Sequence, residues 1–215
     1  MVSSINYTGK NICGNMINKK YELIIRRDAV GHITHRIRAL RDFSDVKAGD
    51  LGGYVQTEHN LSHGDDCWVS DSAIVYENAR VYGNARVCGD ALIHGSARVY
   101  GNAQVCGAAC MFGNARIYEN GKLSEQSELY GNARIFGNAQ VYGDTRITGD
   151  MCICGDAWID VGDQVTFIHG NTKIDHGIWT RRILINDKWC LTSTTLEMML
   201  LEEMSWWGGI DEQEI

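Results

Sequence analysis

A six-residue repeat runs through the middle of the chain and constrains its fold more than any other feature. Sixteen consecutive hexads occupy residues 67–162 without an insertion. The third position is Val, Ile, Leu or Met in all sixteen, and the first is Ala, Ser, Thr, Cys or Gly in fifteen, with Met151 as the exception. Because alternate residues of a strand point to opposite sides, positions one and three point inward and positions two and four point outward.

The fifth and sixth positions of each hexad form a corner between successive short strands. Position five is Gly in eleven hexads and position six is Asn or Asp in eleven, and these residues tolerate the positive φ of a tight bend. A bend every six residues around a small-residue interior excludes a sandwich or a helix bundle. The repeat therefore predicts a β-solenoid, in which each strand of about four residues stacks on its counterpart in the next coil.

The hexads resemble those of the hexapeptide-repeat proteins, and this resemblance implies a left-handed parallel β-helix with three hexads per triangular coil. Residues 38–55 and 60–69 resemble the opening of the YdcK-like proteins and of their phage and prophage relatives. With the repeats, the resemblance extends over about residues 38–177. It implies an origin in mobile elements and supplies no catalytic residue.

The chain divides into three predicted parts. Residues 1–50 form a leader and an N-terminal β-hairpin cap, since residues 21–27 and 33–40 alternate like two strands. Residues 51–177 form the left-handed β-helix, with a two-residue insertion near its start and a three-residue slip beyond Val165. Residues 178–215 form a strand, a short α-helix that follows Thr194 and Thr195, and an acidic tail. The fold class is thus all-β with one C-terminal helix.

Composition and charge exclude several function classes. No apolar run is long enough to cross a membrane and no secretory signal opens the chain, so we expect a protein of the bacterial host's cytoplasm. The net charge of −7 disfavours nucleic acid as a partner unless a local basic patch exists. In that compartment the eight cysteines are expected to be reduced. No cofactor is indicated.

At the three hexads per coil that the resemblance implies, the unbroken repeat stacks residues eighteen apart and sorts the outward side chains into three faces. The arginine face carries basic side chains at position two and aromatic side chains at position four: Arg80, Arg98, Arg116 and Arg134 beside Tyr82, Tyr100, Tyr118 and Phe136. The apolar face carries Ile74, Leu92 and Cys110 beside Tyr76, His94, Phe112 and Tyr130. The mixed face carries Trp68, Arg86, Gln104, Lys122, Gln140 and Trp158 beside Ser70, Cys88, Cys106, Ser124 and Tyr142.

The arginine face is a candidate binding surface for a host protein or another anionic ligand. Arginines about 5 Å apart repel one another unless anions, solvent or acidic groups intervene. The aromatic ladder beside them offers stacking surface, and arginine with aromatic rings is typical of nucleotide sites. The alternative is that repeat duplication and β-propensity alone explain both ladders.

The apolar face is a candidate oligomer interface, because a solvated surface of this length is rarely so apolar. Its predicted contact residues are Ile74, Tyr76, Leu92, Phe112 and Tyr130. The resemblance to hexapeptide-repeat proteins implies a homo-oligomer, a trimer or a dimer. Burial under the terminal segments is the alternative.

Three functions stay open at this point. The leading hypothesis is a non-catalytic binding or scaffold protein, a phage or prophage accessory that engages a host partner, for example in counter-defence. The second is an acyltransferase of the hexapeptide class, for which the resemblance implies a His base; His94 is the sole His of the sixteen hexads, and the register places no acid beside it. The third is a nucleic-acid mimic, which the arginines disfavour. No His or Cys trio has metal-ligand spacing, so no metal site is predicted.

Overall fold

The computed structural model describes residues 19–27, 33–162, 166–170, 173–185 and 188–193. These residues fold into a parallel β-solenoid of about six turns, which confirms the fold that the repeat predicts. The left-handed sense stays a prediction. The helix predicted to follow Thr194 lies outside the described residues.

The strands of the described residues are, in chain order, β1 Tyr21–Arg27, β2 Ile33–Ala39, β3 Leu51–Val55, β4 Trp68–Val69, β5 Ile74–Val75, β6 Arg80–Val81, β7 Arg86–Val87, β8 Leu92–Ile93, β9 Arg98–Val99, β10 Gln104–Val105, β11 Cys110–Met111, β12 Arg116–Ile117, β13 Lys122–Leu123, β14 Glu128–Leu129, β15 Arg134–Ile135, β16 Gln140–Tyr142, β17 Thr145–Gly149, β18 Cys152–Ile153, β19 Trp158–Asp160, β20 Thr166–Gly170, β21 Lys173–Ile174, β22 Ile178–Ile185 and β23 Lys188–Ser193. A 3-10 helix, Glu58–Asn60, lies between β3 and β4.

Most strands of the repeat span two residues, positions two and three, and not about four as predicted. The reason lies in the turn. The backbone N–H of position one donates to the carbonyl of the preceding position four, as Ala79 does to Tyr76 at 3.3 Å. This bond closes a β-turn over positions four to one, so only two residues of each hexad keep a regular strand pairing.

The strands stack into three sheets, one for each face. The apolar face lies on the sheet β1-β2-β3-β5-β8-β11-β14-β17-β20, the mixed face on β23-β22-β19-β16-β13-β10-β7-β4, and the arginine face on β21-β18-β15-β12-β9-β6. Neighbours in the repeat pair in parallel at an offset of eighteen residues, as Arg98 does with Arg116. The predicted two-residue insertion and three-residue slip are also confirmed, since Tyr54 pairs with Ile74 and Ile153 pairs with Ile174.

The core of the solenoid consists of the residues at positions one and three. Val81, Val99, Ile117 and Ile135 form one interior column and are at most 1% exposed. Alanine fills most of position one, where the corner leaves room for a small side chain. Where Ser127 takes that position, its buried hydroxyl donates to the carbonyls of Ser124 and Gly143 at 2.7 and 2.9 Å, so no polar group is left unsatisfied there.

The corners need a left-handed backbone, and four of them use an acidic residue in place of glycine. Asp71, Glu77, Glu119 and Glu125 have φ between 55° and 61°. Each carboxylate accepts a hydrogen bond from the backbone N–H of the position-five glycine one coil further on, at 2.7 to 2.9 Å. These charge-assisted bonds offset the steric cost of a side chain at positive φ.

An antiparallel pair of strands and a buried lysine lie at the N-terminal side of the described solenoid. Strand β1 pairs with β2, and β2 pairs with β3, so the sheet of the apolar face continues without a break. Lys20 is fully buried, and its Nζ donates to the carbonyls of Gly64 and Cys67 at 3.2 and 2.8 Å. The hairpin strands are as predicted, and their role as a cap stays a prediction.

Candidate functional site: the arginine face

The arginine face presents four guanidinium groups in register on successive coils. Arg80 pairs with Arg98, Arg98 with Arg116, and Arg116 with Arg134, in strands β6, β9, β12 and β15. Arg80, Arg98 and Arg134 are exposed, and Arg116 is partly exposed. Parallel pairing holds the four Cα atoms about 4.8 Å apart, so the four side chains leave the sheet close to one another.

Among the described residues, the arginines of this face have no carboxylate partner, unlike three other arginines. Arg86 forms an ion pair with Asp45, and Arg38 forms one with Glu22. Within the part of the chain that the structure describes, no such pair involves Arg98, Arg116 or Arg134, while the Arg80 guanidinium contacts the imidazole of His59. The face is therefore a row of positive charges available to an external anion.

The aromatic ladder of the same face is closely stacked. The ring centroids of Tyr82, Tyr100, Tyr118 and Phe136 lie 4.8, 5.0 and 5.0 Å apart, with interplanar angles of 3° to 6°. The inner rings use both faces on their neighbours and present only their edges outward, so stacking of an external group on this ladder stays a prediction that concerns its end rings. Burial raises the pKa of the Tyr82 and Tyr118 hydroxyls, so both stay protonated donors at neutral pH.

Polar ladders line both edges of the arginine face. On one edge, Nδ2 of Asn84, Asn102, Asn120 and Asn138 each donates to the side-chain oxygen of the next coil at 2.9 to 3.1 Å, and the row ends at Asp156. On the other edge, Asn114, Asn132 and Asp150 repeat this pattern. These rows fix the corners and so hold the arginine face at a constant width.

A cleft opens at the end of the arginine face nearest the N-terminus. Its volume is about 390 Å³, and its lining includes His59, Ser62, His63, Arg80, Tyr82 and Arg98. The carboxylate of Glu58 also lines it and is bound at 2.7 Å by Nζ of Lys19, which holds the Glu58 pKa below its usual range. Burial lowers the pKa of His63. The positive charge that the cleft offers to a ligand therefore comes from the two guanidinium groups, with the Glu58 carboxylate as the negative group of the lining.

The apolar face carries a second aromatic ladder with the same geometry. The rings of Tyr76, His94, Phe112 and Tyr130 stack at centroid distances of 4.9, 5.3 and 4.7 Å. The predicted interface residues, Ile74, Tyr76, Leu92, Phe112 and Tyr130, are all partly exposed in the single chain. Further along this face the apolar character ends, because Glu128 and Arg146 form an ion pair at 3.3 Å.

His94 has an acidic neighbour that the sequence analysis missed. Nδ1 of His94 lies 3.7 Å from Oε2 of Glu77, so the expectation that the register places no acid there is wrong. The left-handed corner at Glu77 directs its side chain toward the next coil, where the carboxylate already accepts from the N–H of Gly95 at 2.7 Å. Tyr76 and Phe112 cover both ring faces of His94. His94 is thus a member of the stack, and it does not line the cleft of the arginine face.

Two of the cysteines are covalently joined. Cys88 and Cys106, on adjacent coils of the mixed face, form a disulfide, which corrects the expectation that all eight are reduced. Cys67, Cys110, Cys152 and Cys154 are free thiols. Among the residues whose positions are described, no group of three or more His, Cys, Asp or Glu side chains could hold a metal ion.

The fold and these ladders define a class of protein, the parallel β-solenoids with an exposed charged face. A family model described as "YdcK Beta solenoid repeat" matches residues 79–95 and 129–143. Both stretches lie inside the hexad region, so the chain contains β-solenoid repeats of the YdcK type. No curated protein matches the chain. Over the described ranges, no helix is long and apolar enough to cross a membrane.

Proposed function

We propose that this protein is a non-catalytic binding scaffold whose arginine face engages an acidic surface of a partner protein. The observation that carries the proposal is the row formed by Arg98, Arg116 and Arg134, which have no carboxylate partner among the described residues. The solenoid fixes the backbone spacing of this row before a partner binds, so binding has to order only the side chains. Repeated like charges on a rigid face favour a partner of opposite charge.

The proposal includes a biological setting and a location. We propose that the protein acts as a phage or prophage accessory in the cytoplasm of a bacterial host, where the partner is a host protein. The resemblance of residues 38–69 to the opening of YdcK-like phage and prophage relatives supports this setting. Counter-defence against the host is one role that such an accessory protein could have in this proposal.

The test compares two double variants with equal changes in charge. Arg98→Glu with Arg116→Glu reverses the centre of the arginine face, and Arg86→Glu with Lys122→Glu makes the same charge change on the mixed face. An oligoglutamate peptide serves as a defined acidic probe, and capture from host lysate followed by native mass spectrometry identifies the partner. We expect the first variant to lose oligoglutamate binding, and with it the salt dependence of that binding, while its melting temperature stays that of the wild type. The second variant should keep both oligoglutamate binding and its salt dependence. Equal binding by both variants would contradict the proposal.

We further propose that the apolar face forms a homo-oligomer, a trimer or a dimer. The partly exposed side chains of Ile74, Leu92 and Phe112 support this contact, since they form a continuous apolar strip on adjacent coils. Light scattering after size exclusion gives the mass directly. Leu92→Lys should convert an oligomer into a monomer, and a wild-type monomer at all concentrations would contradict the contact.

The acyltransferase hypothesis is not favoured. A general base must reach the proton that it removes, and the His94 ring lies between Tyr76 and Phe112. The Glu77 carboxylate near it is already bound by the Gly95 N–H.

A further inference from the structure

The cleft at the end of the arginine face occupies the place of a missing ring in the aromatic ladder. Leu61 pairs with Val81, which puts Ser62 opposite Tyr82. The N–H of Ser62 donates to the carbonyl of Val81 at 3.0 Å, just as the N–H of Tyr82 donates to Val99 at 3.1 Å. Ser62 therefore stands where the register would place the next aromatic side chain.

The small side chain of Ser62 leaves one face of the ladder open. Tyr82 stacks on Tyr100 with one ring face, and its ring also lines the cleft that Ser62 helps to form. Within the described ranges, no other aromatic ring stacks on Tyr82 from the cleft side. A planar group bound there would continue the ladder as its next member.

Two arginines and the Glu58 carboxylate lie in the lining of the cleft at that open position. Arg80 and Arg98 both line the cleft, and Arg98 has no carboxylate partner among the described residues. Opposite Arg80 the register places Asn60 and not another arginine, and the buried amide of Asn60 is engaged by the carbonyls of Glu77 and Ala79. The cleft therefore combines an open aromatic face with two guanidinium groups, which suit the oxygens of a phosphate.

We propose that this cleft binds a mononucleotide, with the base stacked on Tyr82 and the phosphate bound by Arg80 and Arg98. The proposal rests on the anion binding proposed for the arginine face and names a small-molecule ligand for its end. A volume of about 390 Å³ lies in the range of small-molecule sites. A nucleic-acid strand fits less well, because the rings beyond Tyr82 have no free face on which successive bases could stack.

The test measures AMP binding to the full chain by isothermal titration calorimetry at low salt, with adenosine and inorganic phosphate as separate ligands. Because stacking and phosphate contacts act together, AMP should bind at least about tenfold more tightly than either fragment. Ser62→Tyr supplies the missing ring and should weaken AMP binding about tenfold or more. Ser96→Tyr, at an exposed corner, is the matched control and should bind AMP as the wild type does.

Two further variants make the result decisive. Tyr82→Leu removes the stacking ring without filling the cleft, so it should also weaken AMP binding if Ser62→Tyr does not fold. The double variant Arg116→Glu with Arg134→Glu should no longer bind oligoglutamate and should still bind AMP. Ser62→Tyr should bind oligoglutamate and should bind AMP more weakly. AMP binding no tighter than that of adenosine and phosphate, or unchanged in Tyr82→Leu, would overturn the nucleotide site. Retained oligoglutamate binding in that case would leave the proposed function intact.

Discussion

The arginine face and the apolar face have the same backbone and the same kind of aromatic ladder, and they differ in charge. Ring centroids are 4.8 to 5.0 Å apart on the first and 4.7 to 5.3 Å apart on the second. The apolar face pairs its Arg146 with Glu128, whereas Arg98 and Arg116 face each other in adjacent strands. The aromatic ladder is therefore a property of the repeat, and the row of arginines without carboxylate partners among the described residues is what distinguishes the arginine face from the apolar face.

The largest expected effect tests whether both faces depend on one common core. Ile117 lies behind the arginine face and Met111 behind the apolar face, and both are fully buried. Replacing either with Asp buries a charge without a partner, so each should lower the free energy of unfolding by about 4 kcal/mol or more. Urea denaturation measures this, with the exposed Gln104→Asp as control. A large difference between the two buried variants would show that the two faces have unequal support.

Removing the disulfide of the mixed face should cause the next largest loss of stability. The losses on the other two faces can be compared with it. Cys88 and Cys106 close a loop of eighteen residues, which the chain-entropy model values at about 3 kcal/mol. Cys88→Ser should lower the melting temperature of the oxidised protein to that of the wild type in reductant. Cytoplasmic conditions favour the reduced pair, so intact-mass analysis of alkylated protein should accompany the melts. Identical melting of oxidised wild type and Cys88→Ser would rule out a stabilising cross-link.

Removing one ring from each aromatic ladder should have equal, smaller effects. Tyr118→Ala on the arginine face and Phe112→Ala on the apolar face each remove a ring stacked on two neighbours. Each loss should be about 1 kcal/mol beyond the area term. Thermal melting of the two variants side by side measures the difference. If only Tyr118→Ala impaired oligoglutamate binding, the ladder would act in recognition as well as in folding.

The smallest expected change in stability comes from removing one arginine from each of the two faces. Arg146→Ala loses a partly exposed ion pair with Glu128 and should cost about 0.5 kcal/mol. Arg98→Ala loses no ion pair and relieves repulsion from Arg80 and Arg116, so its melting temperature should stay equal or rise. Thermal melting at low and at high salt compares the stability of these two variants. A clear loss of stability in Arg98→Ala would mean that the arginine row serves the fold.

The sequence analysis predicted the register of the solenoid better than its side-chain chemistry. Uninterrupted hexads, with the three hexads per coil that the resemblance implies, give an offset of eighteen, so the pairing of Arg98 with Arg116 and the column through Ile117 were predicted correctly. Features that depend on corner geometry did not follow. Glu77 approaches His94 because an acidic residue adopts the left-handed backbone and points along the axis of the solenoid. The stacking of the rings, which closes their faces, likewise depends on rotamers that a six-residue pattern does not encode.

Lys20 illustrates another limit of sequence reasoning. It precedes the first strand, in a stretch with no repeat, yet it is fully buried and donates to backbone carbonyls of residues 64, 65 and 67. Burial lowers its pKa. Nothing in the local sequence distinguishes it from the neighbouring Lys19, whose side chain is about half exposed.

The central claim is that the arginine face offers its guanidinium groups to an external anion. Nuclear magnetic resonance of the arginine Nε–H groups tests it directly during titration with oligoglutamate. We predict that the signals of Arg98, Arg116 and Arg134 shift together with one dissociation constant, while those of Arg86 and Arg146, which are held by Asp45 and Glu128, stay in place. Equal shifts of all five signals, or no shift in the first three, would contradict the account.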